Sequence, residues 1–269
     1  MNTEVSKSRP FDGLWAIILG GSGGFGFASV EKLAANGMNI AVLYRETSVT
    51  EKPLLENFSR IASGNGVTIL PFNTNALTAE GRESFLRKFQ SENAEAKYSV
   101  RLLLHSIARG NLKPLTGDDT LSAEDIQFTS YAMSNSLLDW TRDILKAELF
   151  HPDARVIGLT SEGAHKHWEG YAAVSVAKAS LESLAKYMAV EFAPFGLKTN
   201  LIQAGITETQ SLKMIPGSEQ LIEIGKKRNP MGRITRPQDV ANVIYLLCTD
   251  EAFWVNGALI HVDGGEHCR

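Results

Sequence analysis

Cysteine is scarce in this chain, which excludes several kinds of organising site. Its 269 residues include two cysteines, Cys248 and Cys268, whose separation matches neither a metal-binding nor a redox motif. A disulfide framework is therefore not expected, and a reducing compartment is. His165 and His167 could form a metal pair, but no Cys or acidic third ligand is suitably placed, so we interpret them as surface histidines and expect no metal.

The chain also lacks long apolar runs and an excess of positive charge. No run approaches the length that spans a membrane, and residues 1–13 are polar, without the apolar core of a signal peptide. The formal net charge is −3, whereas general nucleic-acid affinity needs a basic face. We therefore expect a cytoplasmic protein that binds neither membranes nor nucleic acid.

No linker, internal repeat or low-complexity segment divides the sequence, so residues 1–269 are expected to form one domain. Continuous apolar runs predict seven strands, at 14–19, 39–44, 67–72, 100–105, 155–160, 198–203 and 258–262. Helical patterns lie between them, near 27–35, 51–63, 78–92, 122–149, 171–194 and 237–249. This alternation predicts an α/β fold: a Rossmann-type, doubly wound parallel sheet with helices on both faces. The irregular 205–236 segment is long for a connection, and we expect it to be a substrate-binding lid.

A glycine-rich turn joins the first predicted strand to the first predicted helix. It reads Gly20-Gly-Ser-Gly-Gly-Phe-Gly26 and contains the six-residue pattern Gly21-x-Gly23-x-x-Gly26. Glycine permits a tight turn and a close approach of the backbone to a pyrophosphate, which then meets the helix N-terminus. The strand–turn–helix context favours a dinucleotide site over a structural turn. The expected cofactor-binding residues here are Gly20, Ser22, Gly24, Phe25 and Gly26.

The end of the second predicted strand bears on which nicotinamide cofactor binds. Proteins that use NAD place Asp or Glu there to bind the ribose 2′-hydroxyl, but this chain reads Leu43-Tyr44-Arg45. A cation suits the 2′-phosphate of NADPH, so NADPH is favoured. Glu46 follows at once and keeps NADH possible, and a solvated arginine at a strand end is an equal alternative.

Tyr171 and Lys178 are seven residues apart in the segment Tyr171-Ala-Ala-Val-Ser-Val-Ala-Lys178. Residues seven apart on an α-helix face the same way, so both can point into one cavity. An ammonium near a phenol stabilises the phenolate and makes the phenol a better acid. A nicotinamide reductase needs such a group, because hydride reaches a carbon while charge builds on an oxygen. An ordinary amphipathic helix is the alternative, which the glycine turn makes less attractive.

Taken together, these motifs resemble the short-chain dehydrogenase/reductase family over nearly the whole chain. The spacing Gly20-x3-Gly24-x-Gly26 is similar to the family's cofactor turn, and Val262-Asp-Gly-Gly265 looks like its C-terminal signature. The resemblance implies that Lys178 binds the nicotinamide ribose. It implies further cofactor contacts at Asn73, where the family usually has Asp near the adenine, and at Thr207 and Thr209, on the nicotinamide carboxamide and phosphate side.

Two departures from the common family pattern resemble the enoyl-[acyl-carrier-protein] reductases of bacterial fatty-acid synthesis. Ordinary members carry Tyr four residues before the Lys, where this chain has Val174, and the tyrosine is instead Tyr171. The run His105-Ser-Ile-Ala108 replaces the usual Asn-Asn-Ala-Gly. The resemblance implies a wall at the nicotinamide made of Ser106, Ile107 and Ala108.

A physical reason supports moving the tyrosine. Hydride addition to an enoyl thioester builds charge on an oxygen two carbons further away than in a ketone, so the acid must stand roughly 2.5 Å further off. Ser161 lies where carbonyl-reducing members carry a catalytic Ser, and many enoyl reductases have a second Tyr there. We interpret Ser161 as a helper of Tyr171, with a strand-end serine as the alternative.

The predicted reaction is NADPH-dependent reduction of a trans-2-enoyl thioester carried by acyl carrier protein or coenzyme A. The expected substrate-binding residues are Ala108, Tyr171, Met214 and Ile215, although the last two could instead pack the lid onto the domain. The alternative functions are a carbonyl (3-ketoacyl-type) reductase of the same family and a non-catalytic NADPH-binding sensor.

Two further predictions concern partners. Cations in and near the 205–236 segment could dock an acidic carrier protein or simply form a solvated helix end; they are Lys213, Lys226, Lys227, Arg228, Arg233 and Arg236. The long predicted helices 122–149 and 171–194 form a subunit interface in the family, and the second is apolar on more than one face. We therefore expect a homodimer or homotetramer.

Overall fold

Seven parallel strands form the centre of the computed structural model, which describes residues 9–93 and 97–269. The first eight residues of the polar N-terminal segment lie outside this part of the chain. The strands are β1 (Trp15–Leu19), β2 (Asn39–Tyr44), β3 (Ile69–Asn73), β4 (Val100–His105), β5 (Phe150–Ser161), β6 (Leu197–Ala204) and β7 (Leu259–Val262). Their order in the sheet is β3-β2-β1-β4-β5-β6-β7, and every pair is parallel. The predicted doubly wound parallel sheet is confirmed.

Helices connect the strands and cover both faces of the sheet. They are α1 (Gly24–Ala34), α2 (Ser48–Asn65), α3 (Ala79–Glu92), α4 (Ala123–Ser130), α5 (Ser136–Lys146), α6 (Ala172–Glu191), α7 (Gln210–Lys213), α8 (Ser218–Arg228) and α9 (Pro237–Cys248). Side-chain oxygens of Thr47, Thr78 and Ser122 each accept a hydrogen bond from the backbone N–H three residues later, so α2, α3 and α4 begin at N-caps.

Two predicted segments differ from the structure. The helix expected over 122–149 is divided by a π-helical turn, Tyr131–Asn135, between α4 and α5. The 205–236 segment is not irregular throughout, because it contains α7 and α8. The pair Pro216-Gly217 separates these two helices, with Gly217 in the left-handed conformation, and α7 is only four residues long, too short to give a periodic signal.

Strand boundaries were less well predicted than strand positions. β5 begins at Phe150 rather than at Arg155, and Phe150 pairs with Val100 before a register irregularity in β4. Pro152 and Asp153 are poor strand formers, so local propensity delays the expected start, whereas pairing with β4 extends the strand. β3 is shifted by one to two residues, because its bounds follow the register with β2.

Alternate residues of the central strands belong to two hydrophobic cores, one on each face of the sheet. In β1, Ile17 and Leu19 pack with Phe85, Phe89 and other residues of α3, α5 and α6. On the opposite face, Ala16 and Ile18 pack with residues of α1, α2 and α9. All five residues of β1 are buried, as expected for a strand covered on both sides. In the part of the chain that the structure describes, no helix is both long and apolar enough to cross a bilayer.

Candidate active site

The strand order reverses direction beside β1, and the candidate site lies at this point. β1 pairs with β2 on one side and with β4 on the other, so the connections that leave these strands diverge. Ligands of doubly wound sheets bind in the crevice that such a reversal opens at the carboxyl ends of the strands. Here the Ser106 N–H, just after β4, donates a 2.8 Å hydrogen bond to the Leu19 carbonyl at the end of β1.

The glycine turn lies at one side of this crevice and is closely packed. A Cβ atom on Gly26 would lie 2.1 Å from the Gly20 carbonyl oxygen, and one on Gly20 would lie 2.5 Å from the Ser106 carbonyl oxygen. Gly20 also has a positive φ of 86°. By contrast, nothing lies within 4 Å of a Cβ built on Gly23. The turn therefore needs its glycines for packing at positions 20 and 26, while at Gly23 it faces open space.

The N-terminus of α1 starts inside this turn. No side chain caps it, and its first turn carries no acidic residue. Its free N–H groups and the positive end of the helix dipole therefore face the open space beside Gly23. This arrangement suits a bound anion, as the sequence predicts for Ser22, Gly24 and Phe25.

A cavity of about 730 Å³ opens beside the turn, at the ends of β4, β5 and β6. Many of the predicted site residues line it: Phe25, Ser106, Ile107, Ala108, Ser161, Tyr171, Lys178, Thr207, Thr209, Met214 and Ile215. The structure thus brings the expected catalytic, nicotinamide-wall and substrate residues to a single cavity, although they are up to 109 positions apart, from Ser106 to Ile215.

Tyr171 immediately precedes α6, and its phenol faces the cavity. The Tyr171 hydroxyl donates to the Ser161 Oγ at 3.4 Å, a long hydrogen bond that links α6 to the end of β5. Val174, where ordinary family members have the tyrosine, is buried with Met133 and Ala177, and the Tyr171 ring packs against this small cluster. Among the residues that line the cavity, Tyr171 is therefore the one phenol.

The sequence suggested that the Lys178 ammonium makes the Tyr171 phenol a better acid, and both side chains line the cavity. The buried Lys178 ammonium donates a 2.8 Å hydrogen bond to the Leu159 carbonyl. Burial raises the pKa of Tyr171, and the hydrogen bond with Ser161 offsets only part of that rise. Burial also lowers the pKa of Lys178, to about 8. Tyr171 is accordingly a neutral hydrogen-bond donor at neutral pH, and Lys178 is a cation that loses its proton unusually easily.

His105 is a core residue. It is buried at the end of β4, and its Nε2 lies 2.8 Å from the Ser136 Oγ of α5. Burial, together with the nearby Lys178 charge, lowers the pKa of His105 to about 3. The imidazole is therefore neutral, and it fixes the strand end that leads into Ser106.

The predicted adenosine contacts lie outside the cavity. Arg45 is exposed just after β2, and Asn73 ends β3. Asn73 holds the two strand ends together, because its Nδ2 donates to the Glu46 carbonyl at 2.9 Å and its Oδ1 accepts from the Glu46 N–H at 3.1 Å. The Arg45 side chain therefore faces solvent at a strand end that the hydrogen bonds of Asn73 hold in place.

The 205–236 segment covers the cavity from the side of β6. Thr207 is buried and pairs with Thr235, while Thr209 caps α7 and lies beside the glycine turn, its Cγ2 3.4 Å from a Cβ built on Gly24. Met214 is 75% exposed at the cavity, and Ile215 is half-buried there. The segment therefore joins the cofactor turn to the cavity wall, with an apolar side chain free to contact a ligand.

An ion pair that the sequence did not predict ties this segment to β5. Arg228, the last residue of α8, binds both carboxylate oxygens of Glu162, at 3.0 Å and 2.6 Å, and also donates to the Glu266 carbonyl at 3.1 Å. Glu162 directly follows Ser161. Burial acts to raise the pKa of Glu162, but the hydrogen bonds from Arg228 and Lys166 outweigh it, and the net pKa is lowered.

Most cations that could dock a carrier protein already have acidic neighbours. Lys213 lies 3.4 Å from Glu208, Lys226 lies 2.8 Å from Glu223, and Arg233 lies 2.6 Å from Asp239. With Arg228 bound to Glu162, these pairs reduce the positive field of the 205–236 segment. Lys227 remains exposed on α8.

The surroundings of His165, near the site, do not resemble a metal site. His165 is exposed and lies 2.7 Å from Glu182, which also accepts a hydrogen bond from Thr160. Within residues 9–93 and 97–269, no group of three His, Cys, Asp or Glu side chains is arranged to hold a metal ion.

Comparisons with known proteins agree with the fold. A family model described as enoyl-(acyl carrier protein) reductase matches residues 20–267. The enoyl-[acyl-carrier-protein] reductase [NADH] FabI of Aquifex aeolicus is 33% identical over 184 residues, which are 68% of this chain and 66% of that protein. Its crystal structure superimposes with a TM-score of 0.80 and 28% identity, covering 96% of this chain and 98% of that one. The 3-oxoacyl-[acyl-carrier-protein] reductase FabG of Escherichia coli is 28% identical over 257 residues, 95% of this chain and 98% of the relative.

Proposed function

The chain is an oxidoreductase of the short-chain dehydrogenase/reductase family, and from that premise we propose that it reduces the trans-2 double bond of an enoyl thioester. The observation that carries the proposal is the position of Tyr171. The cavity's phenol lies seven residues before Lys178, and the position four residues before Lys178 holds the apolar, buried Val174. A phenol set back by nearly one helical turn suits an oxygen remote from the carbon that accepts hydride.

The residues present fit a nicotinamide dinucleotide. The glycine turn and the uncapped start of α1 would hold the pyrophosphate, and Lys178 would hold a ribose hydroxyl. Ser106, Ile107, Ala108, Thr207 and Thr209 would surround the nicotinamide. When bound in its reduced form, the cofactor supplies the hydride. We propose NADPH as the preferred form, because Arg45 presents an exposed cation at the end of β2 where a 2′-phosphate would lie.

The protein's own groups would act at the thioester end of the substrate. The Tyr171 hydroxyl would donate a hydrogen bond to the thioester carbonyl oxygen and stabilise the negative charge that builds there. Because burial raises the pKa of Tyr171, the phenol keeps its proton at neutral pH and can act as this hydrogen-bond donor. Ser161, in contact with the Tyr171 hydroxyl, would orient it. The apolar walls around Val174 and Met133 would exclude water from the reacting atoms.

One observation favours a second candidate function, reduction of a 3-ketoacyl thioester. The contact between Ser161 and Tyr171 resembles the Ser and Tyr pair that carbonyl reduction uses, and a 3-oxoacyl reductase is among the relatives. For either substrate we propose a phosphopantetheine carrier, acyl carrier protein or coenzyme A. Most cations of the 205–236 segment are ion-paired, so the exposed Lys227 and Arg236 are the cations that we propose contact an acidic carrier.

Oxidation of NADPH and of NADH should be followed with crotonyl-CoA and, separately, with acetoacetyl-CoA. We expect turnover of the crotonyl substrate, a lower KM for NADPH than for NADH, and a loss of about 100-fold or more in kcat for Tyr171→Phe with little change in cofactor affinity. Turnover of acetoacetyl-CoA alone would contradict the proposal and support the second candidate function, reduction of a 3-ketoacyl thioester. Tight cofactor binding without turnover of either substrate would indicate a sensor.

A further inference from the structure

Arg109 is a cation at the cavity that the proposed chemistry does not use. It lies in the loop after β4, directly beyond the Ser106–Ala108 wall, and lines the cavity while remaining exposed. Its guanidinium stacks over the Phe128 ring of α4, 5.5 Å from the ring centroid. Across the described ranges 9–93 and 97–269, no carboxylate forms an ion pair with it. The side chain is therefore held by an aromatic ring, and within the described residues its hydrogen-bond donors have no partner.

The backbone that carries Arg109 is fixed to α4. The Asn111 N–H donates to the Thr129 Oγ1 at 3.0 Å, and the Asn111 Nδ2 donates to the Asp125 Oδ1 at 2.5 Å. Leu112, the next residue, packs with Tyr171 against the cluster formed by Met133, Val174 and Ala177. Arg109 thus belongs to the same braced loop that contacts the proposed catalytic phenol, and binding an anion there would cost little ordering of the loop.

The other charged side chains of the cavity lining already have partners within the protein. These are Lys178 with the Leu159 carbonyl, Glu162 with Arg228, Asp263 with His267, and Glu266 with the Ile206 N–H. Arg109 is the exception in that lining. A guanidinium with unused donors at the mouth of a cavity suits an oxyanion supplied by the ligand.

We propose that Arg109 binds the phosphate of the phosphopantetheine arm that carries the substrate; this inference rests on the proposed function. The two ends of such a substrate differ chemically. Its acyl chain is apolar and suits the apolar wall formed by Leu212, Ile215 and Leu221, whereas its arm must leave the cavity toward the carrier. Because Arg109 is exposed at the mouth of the cavity, the anion that it binds lies on the part of the substrate that leaves the cavity.

The test uses two substrates that differ only by the phosphate, crotonyl-phosphopantetheine and crotonyl-pantetheine. At low ionic strength, the wild-type protein should prefer the phosphorylated substrate by about tenfold in kcat/KM, the size of one charge-assisted hydrogen-bonded contact that is partly exposed. Arg109→Gln should reduce this ratio to about one, and Arg109→Lys should keep part of it. Added salt should lower the wild-type ratio. Arg60→Gln, an exposed arginine on α2 away from the cavity, is the matched control and should keep the ratio.

Several outcomes would overturn the proposal: a wild-type ratio of one, an unchanged ratio in Arg109→Gln, or equal losses on both substrates, which would mark a structural role. A raised KM for NADPH with the substrate ratio preserved would assign the anion to the cofactor and also overturn it. If the crotonyl substrates are not reduced, the proposed function fails, but the ratio can still be measured with the acetoacetyl pair. The affinities of butyryl-phosphopantetheine and butyryl-pantetheine, measured by calorimetry, test the same preference for the phosphate without any turnover.

Discussion

The ring of Tyr171 lies against a residue that has no side chain. A Cβ atom on Gly163 would lie 2.4 Å from the Tyr171 Cε1 and 2.7 Å from its Cδ1, closer than real contacts allow. Gly163→Ala should therefore turn the phenol away from its position in the cavity. Because a misplacement of about 1 Å at a reacting group can cost about 100-fold in rate, we expect kcat to fall by 10- to 100-fold, measured with the crotonyl substrate.

Gly64→Ala is the matched control for this change. Gly64 lies in α2 with nothing within 4 Å of an added Cβ, so its substitution should leave kcat unchanged and slightly stabilise the helix. Cofactor affinity, measured by fluorescence titration, should be retained in both variants. Full activity of Gly163→Ala would show that the Tyr171 ring is not held as the structure indicates.

The buried Lys178 predicts the alkaline limit of activity. Its pKa is lowered from the ordinary value near 10.5 to about 8, so its ammonium is present below about pH 8 and is lost above it. The pKa of Tyr171 is raised, so that group does not lose its proton in the same range. If Lys178 holds the ribose, kcat/KM for the cofactor should fall by about tenfold per pH unit above pH 8.

Lys178→Arg tests this assignment. Arginine keeps its charge at every accessible pH, so whatever activity the variant retains should lack the fall above pH 8. Two results would contradict the role given to Lys178. One is a wild-type kcat/KM that stays constant up to pH 10, and the other is a fall above pH 8 that persists in Lys178→Arg.

The residues that carry the chemistry could be predicted from the sequence, but the residues that support them could not. Tyr171 and Lys178 could be paired because helical geometry relates positions seven apart, yet the hydrogen bond from Lys178 to the Leu159 carbonyl depends on how α6 crosses β5. Gly163 and Arg109 carry no local signal, since their roles come from contacts with Tyr171 and Phe128. Spacing along one helix is readable from the sequence, whereas contacts between distant segments are not.

Among the elements, α8 is held to the sheet by its last residue. The bidentate pair between Arg228 and Glu162 is largely buried, with side-chain exposures of 20% and 16%, and it anchors the 205–236 segment beside Ser161. Arg228→Gln should remove this anchor and leave Glu162 with only Lys166. We expect a loss of about 2 kcal/mol in stability, a Tm lower by about 4–8 °C, and a substrate KM raised several-fold with a smaller effect on kcat.

Lys226→Gln on the same helix provides the comparison. Its pair with Glu223 is exposed on the surface, and such pairs contribute less than about 1 kcal/mol. Thermal unfolding and kinetics of the two variants should therefore differ clearly. Equal effects would mean that the Arg228 pair does not anchor α8.

The elements themselves were predictable in proportion to their length and periodicity. β1, β2 and β4 are rich in apolar residues, and their positions agree with the sequence prediction within one residue. In contrast, α7 and α8 escaped prediction, because α7 has four residues and α8 buries only Leu221 and Gly225. A helix with so little buried surface leaves almost no apolar pattern to read.

For the whole molecule, the parallel, doubly wound sheet was predictable from strand–helix alternation. The short-chain dehydrogenase/reductase family, suggested by the glycine turn and the C-terminal signature, is confirmed by the match over residues 20–267. Assembly stays a prediction, and the surface shows where it would occur. Trp254 is 89% exposed, and Val190 and Tyr187 at the end of α6 are 73% and 66% exposed. The two regions adjoin, because the Asn256 Nδ2 donates to the Ala189 carbonyl at 2.8 Å.

This apolar surface continues onto β7, which pairs with β6 alone among the described strands and so leaves one edge open. Exposed apolar area beside an open edge favours association with a second copy. Light scattering at micromolar protein should therefore give two or four times the chain mass of 29.4 kDa. Trp254→Arg, which places a charge in this surface, should halve the mass. Val49→Arg, at an 81% exposed site on α2, should not change it. A monomeric wild-type protein would refute the prediction, and an unchanged mass for Trp254→Arg would move the interface elsewhere.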